Sequence, residues 1–320
     1  MTESRAVWLP QKVDDESFGG SLDVHYWDGG DVFPSDPAKV GFLAPPLKPG
    51  RERPVLERIL PRVGGLEVLQ LLSSGHEYLQ PLLSLLPPGV RVATGRGVHG
   101  QATAEHATAL LLAMTRGLDV FQRRQQQGAW QPSRFSTLLG KTVLVLGQGA
   151  VGRAVASRLA PFGCRVVRMA RSGRDTPEGR VHAITELHDL LPEMDAVVLS
   201  IPLTEGTHGL LGSTELSLLP DGAVVVNVAR GEVVDTAALV KEIAAGRLRA
   251  GLDVTAPEPL PSGHPLWELP GVLVTPHTAA FTDTFDTAST AFLNQQVHRY
   301  ARGEALSNVL ASPAIAGDVA

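Results

Sequence analysis

Between Lys141 and Arg171 the chain reads KTVLVLGQGAVGRAVASRLAPFGCRVVRMAR, and no other stretch constrains the fold as tightly. Thr142–Leu146 is an apolar, β-branched run with the length of a strand buried on both faces, as strands of parallel sheets are. Gly147, Gly149 and Gly152 follow in G-x-G-x-x-G spacing, the alanine-rich segment from Arg153 to Ala160 predicts helix, and Cys164–Met169 predicts a second strand. A unit of this kind suits a dinucleotide. The first glycine permits a tight turn, the second lets backbone approach a pyrophosphate, and the third lets helix pack on strand. The helix N-terminus adds N–H groups and a positive dipole end. Glycine-rich turns are common, so the spacing alone says little; its place after a strand and before a helix is what the fingerprint requires. Gly147, Gly149, Ala150, Val151 and Gly152 are therefore candidate cofactor contacts.

The 320 residues suffice for about two domains. With 43% apolar residues and few aromatics, the composition is that of a globular protein with a sizeable core. The net charge is −5 and no basic tract exceeds two consecutive residues, which argues against nucleic acid or an anionic membrane as partner. No N-terminal apolar signal and no run of spanning length is present, so neither export nor membrane insertion is expected. The single cysteine, Cys164, cannot form an internal disulfide and reads as a small buried hydrophobe in a reducing cytoplasm.

Upstream, residues 5–9, 39–43, 67–72 and 90–93 are short apolar runs, with helix-like pieces at Pro54–Val63 and Glu77–Leu86 between them; the alternation predicts a separate small α/β unit. Gln101–Gln127 predicts one long helix stopped at Gly128. Its centre, Ala107–Met114, is apolar nearly all round, as in a helix buried on more than one side. A core helix of one domain and a contact between subunits both satisfy that pattern. Downstream, Asp195–Ser200, Ala223–Val228, Ala250–Val254 and Val272–Thr275 predict strands, with crossover helices at Thr185–Leu191 and Asp235–Ala245. Together with the first two, these make six strands, a complete dinucleotide-binding sheet. A last helix is expected over about Thr284–Arg302, followed by a Pro/Ala/Gly-rich tail expected to fray.

Three residues each follow a predicted strand: Arg230 in VNVARG, Glu258 in DVTAPEP and His277 in VTPHTAA. In an open parallel sheet, ligands bind beyond the carboxyl ends of the strands, so all three project toward the edge that carries the fingerprint. Singly, a post-strand Arg or Glu is usually a solvated or salt-bridged loop residue. Jointly they suit reduction of a keto acid. A guanidinium grips a carboxylate or polarised carbonyl with a planar fork. An imidazolium protonates the oxygen, and a carboxylate fixes its tautomer and favours its charged form.

The fingerprint together with VNVARGEVVD, GLDVTAPEPLP and PLWELPGVLVTPHTAA, in this order, resembles the D-2-hydroxyacid dehydrogenase family from about Leu66 to Leu310. The resemblance implies a Rossmann dinucleotide-binding domain over 99–282, including the long helix at 101–127. It also implies a smaller flavodoxin-like α/β substrate domain built from 1–98 and 283–320, and a homodimer organised around that helix. It implies that Arg230 binds and polarises the substrate, Glu258 supports the histidine, and His277 is the acid/base. Ser74, Gly75 and His76, in LLSSGHEYL, would clasp the substrate carboxylate. Pro202 and Thr207, in SIPLTEGTHGLL, would lie on the adenosine side. Val228, Ala229, Arg230, Asp253, His277 and Ala279 would also contact the cofactor, with Asp253 near the nicotinamide carboxamide.

The family's formate-specific members carry glutamine in place of Glu258, and its phosphite-specific members carry Lys-Gly where Ser74-Gly75 stands, so neither substrate fits. His76, His99 and His106 read as exposed or helix-packed, and no metal-ligand spacing joins them. The expected activity is interconversion of small 2-keto acids and D-2-hydroxy acids. The rival is a nucleotide-sensing binding protein, since C-terminal-binding-protein corepressors resemble this family down to the triad. Against it, no extra interaction segment is seen and the N-terminus goes quickly into strand. An NAD site normally carries Asp or Glu at the end of the second strand. Here Ala170 is followed by Arg171, Ser172 and Arg174, with Asp175 further into the loop, so NADP(H) is favoured over NAD(H); the bland alternative is a solvated basic loop that tolerates either.

Overall fold

The computed structural model describes residues 5–14, 22–47 and 52–310. Two compact units result, one spanning Gly100–Phe281 and the other ending at His99 and resuming at Thr282.

The discontinuous unit begins with β1 (Arg5–Leu9), β2 (Leu22–Tyr26), β3 (Val40–Leu43), α1 (Glu52–Ile59), β4 (Val68–Gln70) and β5 (Arg91–Ala93). The five strands are parallel in the order β2-β1-β3-β4-β5, which is the flavodoxin-like order. Strand alternation divides the core: Val7 and Leu9 face one layer, while Trp8 faces the other with Leu56, Ile59 and Leu69. The four apolar runs account for four of these strands. The fifth, β2, reads LDVHY, and as an edge strand it has no fully buried position, so it carries no continuous apolar signal. The piece at Glu77–Leu85 is a 3₁₀ helix around Pro81.

The second unit opens with α2 (Gly100–Arg116) and α3 (Leu118–Gln126). This corrects the single helix expected over 101–127. Gly117 takes φ +67°, and a Cβ there would lie 2.4 Å from the Phe135 ring, so the chain turns where only glycine fits. The apolar centre of α2 is buried within its own unit: Ala104, Ala107, Leu110, Leu111 and Met114 pack with Ala154, Val155, Val143 and Val145.

The sheet elements follow in order: β6 (Thr142–Leu146), α4 (Ala150–Leu159), β7 (Arg165–Ala170), β8 (Arg174–Thr176), β9 (Gly179–Ala183), α5 (Leu187–Leu190), β10 (Ala196–Leu199), α6 (Ser213–Leu218), β11 (Val224–Asn227), α7 (Thr236–Ala244), β12 (Arg249–Leu252) and β13 (Val272–Val274). The sheet has eight strands, ordered β13-β12-β11-β10-β6-β7-β9-β8, and all pairings are parallel except β8 with β9. The six expected strands are thus joined by a hairpin, whose mostly exposed residues give no apolar run. Arg174 and Asp175 accordingly lie in a strand and not in a loop. Strands β6, β10 and β11 are buried on both faces, which is why they are legible as unbroken apolar runs.

Helix α8 (Phe285–Ala301) returns to the first unit, where Leu293, Val297 and Tyr300 pack with Val7, Leu9, Phe42 and Val68. The Pro/Ala/Gly-rich tail past 310 lies outside the described residues. Among the described residues no helix is long and apolar enough to cross a membrane.

Candidate active site

The strand order reverses at β6, with β7 on one side and β10 on the other, so the crevice at their carboxyl ends is the topological switch point. Gly147 follows β6 at φ +113°, and a Cβ on it would meet the Ser200 carbonyl oxygen at 2.5 Å. The chain itself therefore demands glycine here. Gly149 differs: a Cβ there would meet nothing within 4 Å. It stands at the N-cap of α4 with extended backbone and no side-chain cap, so no side chain of the cap satisfies the first-turn N–H groups of Ala150, Val151 and Gly152. A helix N-terminus of this kind suits an anion, a dinucleotide pyrophosphate among them.

After β7, Ala170 is the last strand residue, and Arg171, Ser172 and Gly173 make the turn into β8. Arg171, Ser172 and Arg174 are exposed, and the Arg174 guanidinium donates to the Ser172 carbonyl at 3.3 Å. Two cations and a hydroxyl thus sit beyond the second strand of the unit. After β10, the Thr207 hydroxyl donates to the Pro202 carbonyl at 2.7 Å and accepts from the Thr204 N–H at 2.8 Å. It ties this loop together from within.

Three loops carry the expected triad. Arg230 follows β11, and the loop that holds it is set by Asn227, which is almost wholly buried. The Asn227 amide donates to the Arg230 carbonyl at 2.8 Å, and its oxygen accepts from the Ala229 N–H at 3.0 Å. Val228 N–H bonds the Leu199 carbonyl. The next residue, Gly231, lies against the Thr255 peptide; a Cβ on it would fall 2.0 Å from that carbonyl. This contact brings the Arg230 loop against the loop after β12, where Glu258 sits between two cis prolyl bonds, Ala256–Pro257 and Glu258–Pro259.

His277 follows β13. Its Nδ1 lies 2.5 Å from Glu258 Oε1. That hydrogen bond is the largest influence raising the His277 pKa; burial opposes it, the Glu258 charge adds to it, Arg230 lowers it and Asp253 raises it, with a net upward shift. The residue has φ +49°, a left-handed conformation rare outside glycine. It is held there by its N–H, which donates to the Asp253 carbonyl at 2.7 Å.

The Asp253 side chain is buried. It accepts from the Thr275 hydroxyl at 2.6 Å and the N–H groups of Thr278 at 2.9 Å and Ala279 at 3.1 Å, and His106 Nε2 lies 3.4 Å away. Burial would push its pKa up; the hydrogen bonds from His106, Thr275, Thr278 and Ala279 outweigh that and hold it below the usual carboxylate range. The N–H of Ala279 is engaged within the chain. His106, read from sequence as exposed or helix-packed, is half-buried on α2 and hydrogen-bonded to Thr275 at 2.9 Å. Asn227, Thr275 and Gly231 also escape sequence reasoning. The only signals are a polar residue ending the apolar run AVVVN and a histidine one turn before Leu110.

Ser74, Gly75 and His76 belong to the first unit. There Ser73 Oγ donates to the Gly75 carbonyl at 2.8 Å and lies 2.9 Å from the Tyr78 hydroxyl, which shapes the turn before the 3₁₀ helix.

Comparison with known proteins bears on this arrangement. Residues 108–279 match the profile of the D-isomer specific 2-hydroxyacid dehydrogenase, NAD binding domain. A glyoxylate reductase of Thermococcus gammatolerans is 38% identical over 205 residues, covering 61% of this chain and 61% of that protein. A D-3-phosphoglycerate dehydrogenase of Archaeoglobus fulgidus is 34% identical over 236 residues, covering 71% of this chain and 44% of that protein. The match thus spans less than two thirds of the length of either relative. A solved D-isomer specific 2-hydroxyacid dehydrogenase of Xanthobacter autotrophicus, in complex with NADPH and MES, is 29% identical with a TM-score of 0.75, over 96% of this chain and 98% of that one. With more than half of its length matched by the family profile, the chain belongs to the D-isomer specific 2-hydroxyacid dehydrogenase family, whose members are NAD(P)-dependent dehydrogenases.

Proposed function

We propose that the protein reduces small 2-keto acids to D-2-hydroxy acids, and runs the reverse reaction, with His277 as acid/base. The observation that carries this reading is the His277–Glu258 hydrogen bond at 2.5 Å, at the sheet edge that also bears Arg230 and the N-terminus of α4. Glu258 occupies Nδ1 and leaves Nε2 to deliver a proton to the substrate oxygen. The raised pKa keeps the imidazolium populated as the oxygen takes on charge. Arg230 grips the substrate carboxylate and steadies that charge. Asp253 keeps the histidine loop in place. A reduced nicotinamide, when bound, supplies the hydride. Ser74, Gly75 and His76 would offer backbone N–H groups to the carboxylate.

Gly149, Ala150, Val151 and Gly152 would hold the pyrophosphate, with Pro202, Thr207, Val228, Ala229 and Ala279 lining the rest of the cofactor. Arg171, Ser172 and Arg174 would receive a 2′-phosphate, which favours NADP(H) over NAD(H); the NADPH complex of the Xanthobacter relative is consistent with that preference. The functional form would be a cytoplasmic homodimer. The test is a panel of glyoxylate, pyruvate, hydroxypyruvate and bulkier keto acids, each assayed with NADPH and NADH. Turnover of at least one small keto acid, faster with NADPH, is expected. Tight nucleotide binding with no turnover of any of them would contradict the reading and favour a nucleotide sensor.

A further inference from the structure

Helix α2 runs alongside β12 in the opposite direction, with three residues in step. The Met114 carbonyl accepts from the Arg249 guanidinium. Leu110 lies over Gly251, where a Cβ would come within 3.0 Å of the leucine Cβ. His106 reaches Asp253, immediately past the strand. Eight helical residues rise about 12 Å and four extended residues about 13 Å, so the match holds along the whole strand. Arg249 also pairs with the buried Asp119 of α3 at 2.5 Å, which anchors the far end of the helix. The place of His106 is therefore fixed by packing.

Its hydrogen bonds have a direction. Thr275 Oγ donates its only proton to Asp253 Oδ1, so it can only accept from His106 Nε2, which must carry a hydrogen. Imidazole donates to hydroxyl, and hydroxyl donates to carboxylate. The carboxylate then accepts the two N–H groups that follow His277, while the Asp253 carbonyl accepts the N–H of His277 itself. The left-handed turn that aims the His277 ring thus hangs from Asp253, and Asp253 is steadied from α2.

We infer that His106 is a positioning residue for the acid/base histidine: through Thr275 it holds the Asp253 carboxylate under residues 277–279 and so sets the direction of the His277 ring. This rests on the reading of His277 given above. In a merely structural role, changes at His106 would lower stability and cofactor affinity together, whatever the replacement.

The full-length protein is compared with His106→Leu, His106→Gln, Thr275→Val and, as a control, His277→Ala. Three quantities are read: kcat for keto-acid reduction, the Kd for NADPH by nucleotide fluorescence, and the low-field proton resonance of the short His277–Glu258 hydrogen bond. His106→Leu and Thr275→Val should each lose kcat on the order of tenfold and displace or broaden the resonance, with the Kd within about twofold of wild type, because small misplacements of a reacting group are costly. His106→Gln, whose amide nitrogen reaches the place of Nε2, should keep most of the turnover and the resonance. An unchanged kcat and resonance in His106→Leu would overturn the inference. So would a glutamine variant that falls as far as leucine, or a Kd that rises in step with the loss of kcat. If His106→Leu does not fold, Thr275→Val and His106→Gln decide. If His277→Ala retains turnover, the acid/base reading fails, and the resonance in His106→Leu alone decides whether the ring is positioned from α2.

Discussion

At His277 one ring nitrogen is committed: Nδ1 faces Glu258 at 2.5 Å, so in the proposed reaction Nε2 is the nitrogen left to exchange a proton with the substrate. The pH dependence follows from the raised pKa, whose main cause is that hydrogen bond. In the proposed reaction, reduction needs the protonated ring. It should hold at low pH and fall as pH climbs through the His277 pKa, while oxidation, which needs the neutral ring, rises. In Glu258→Gln the main raising influence is gone, so the fall in reduction rate should move to lower pH. A pH–rate profile with the same upper limit in wild type and Glu258→Gln would contradict this. At the far end of the proposed cofactor site, Arg171 would offer a charge-assisted hydrogen bond to a 2′-phosphate. Removing one such contact costs about 1.5–3 kcal/mol, or about tenfold to a hundredfold in affinity. Arg171→Asp should weaken NADPH by that factor and leave NADH unchanged or improved, as measured by fluorescence titration. Equal or better kcat/KM with NADH in the wild-type protein would sink the preference.

Elements differ in how far their own sequence reveals them. Strands such as β10 (AVVL) and β11 (VVVN) are buried on both faces and announce themselves. Strand β2 (LDVHY) lies at a sheet edge, and β8 (RDT) is almost wholly exposed; neither needs an apolar run, because partner strands supply their backbone bonds. The break between α2 and α3 is hidden for another reason. A lone glycine inside a helical pattern is tolerable, and only the Phe135 ring packed over Gly117 shows why this one is required. The loop positions of Arg230, Glu258 and His277 follow from simple strand ends and can be read in advance. The supports from His106, Asn227 and Thr275 depend on which helix lies beside which strand, and no local pattern encodes that. Gly117→Ala should destabilise the protein by about 1–3 kcal/mol, because the new methyl group meets both strained backbone and the Phe135 ring. Gly128→Ala, at φ +64° but with nothing within 4 Å, should cost about 1 kcal/mol. Denaturant midpoints of the two variants compare these directly; equal losses would contradict the packing account.

For the molecule as a whole, the helical stretch 101–127 bears on the proposed homodimer. Leu111 is fully buried in its own unit, so a charge there would unfold the chain and say nothing of assembly. Leu118, at the start of α3, is 54% exposed and is the better probe. Sedimentation of the wild-type protein at micromolar concentration should give a dimer, and Leu118→Glu should weaken it while leaving the melting temperature nearly unchanged. A wild-type monomer would rule out the homodimer. The central claim, that this dehydrogenase-family chain reduces keto acids with His277 as its proton donor, is met most directly by one comparison. Purified wild type and His277→Ala are assayed side by side for keto-acid reduction, with NADPH binding measured on the same samples. The account predicts that the variant binds NADPH as tightly as wild type and loses nearly all turnover. Wild-type turnover in His277→Ala would contradict it.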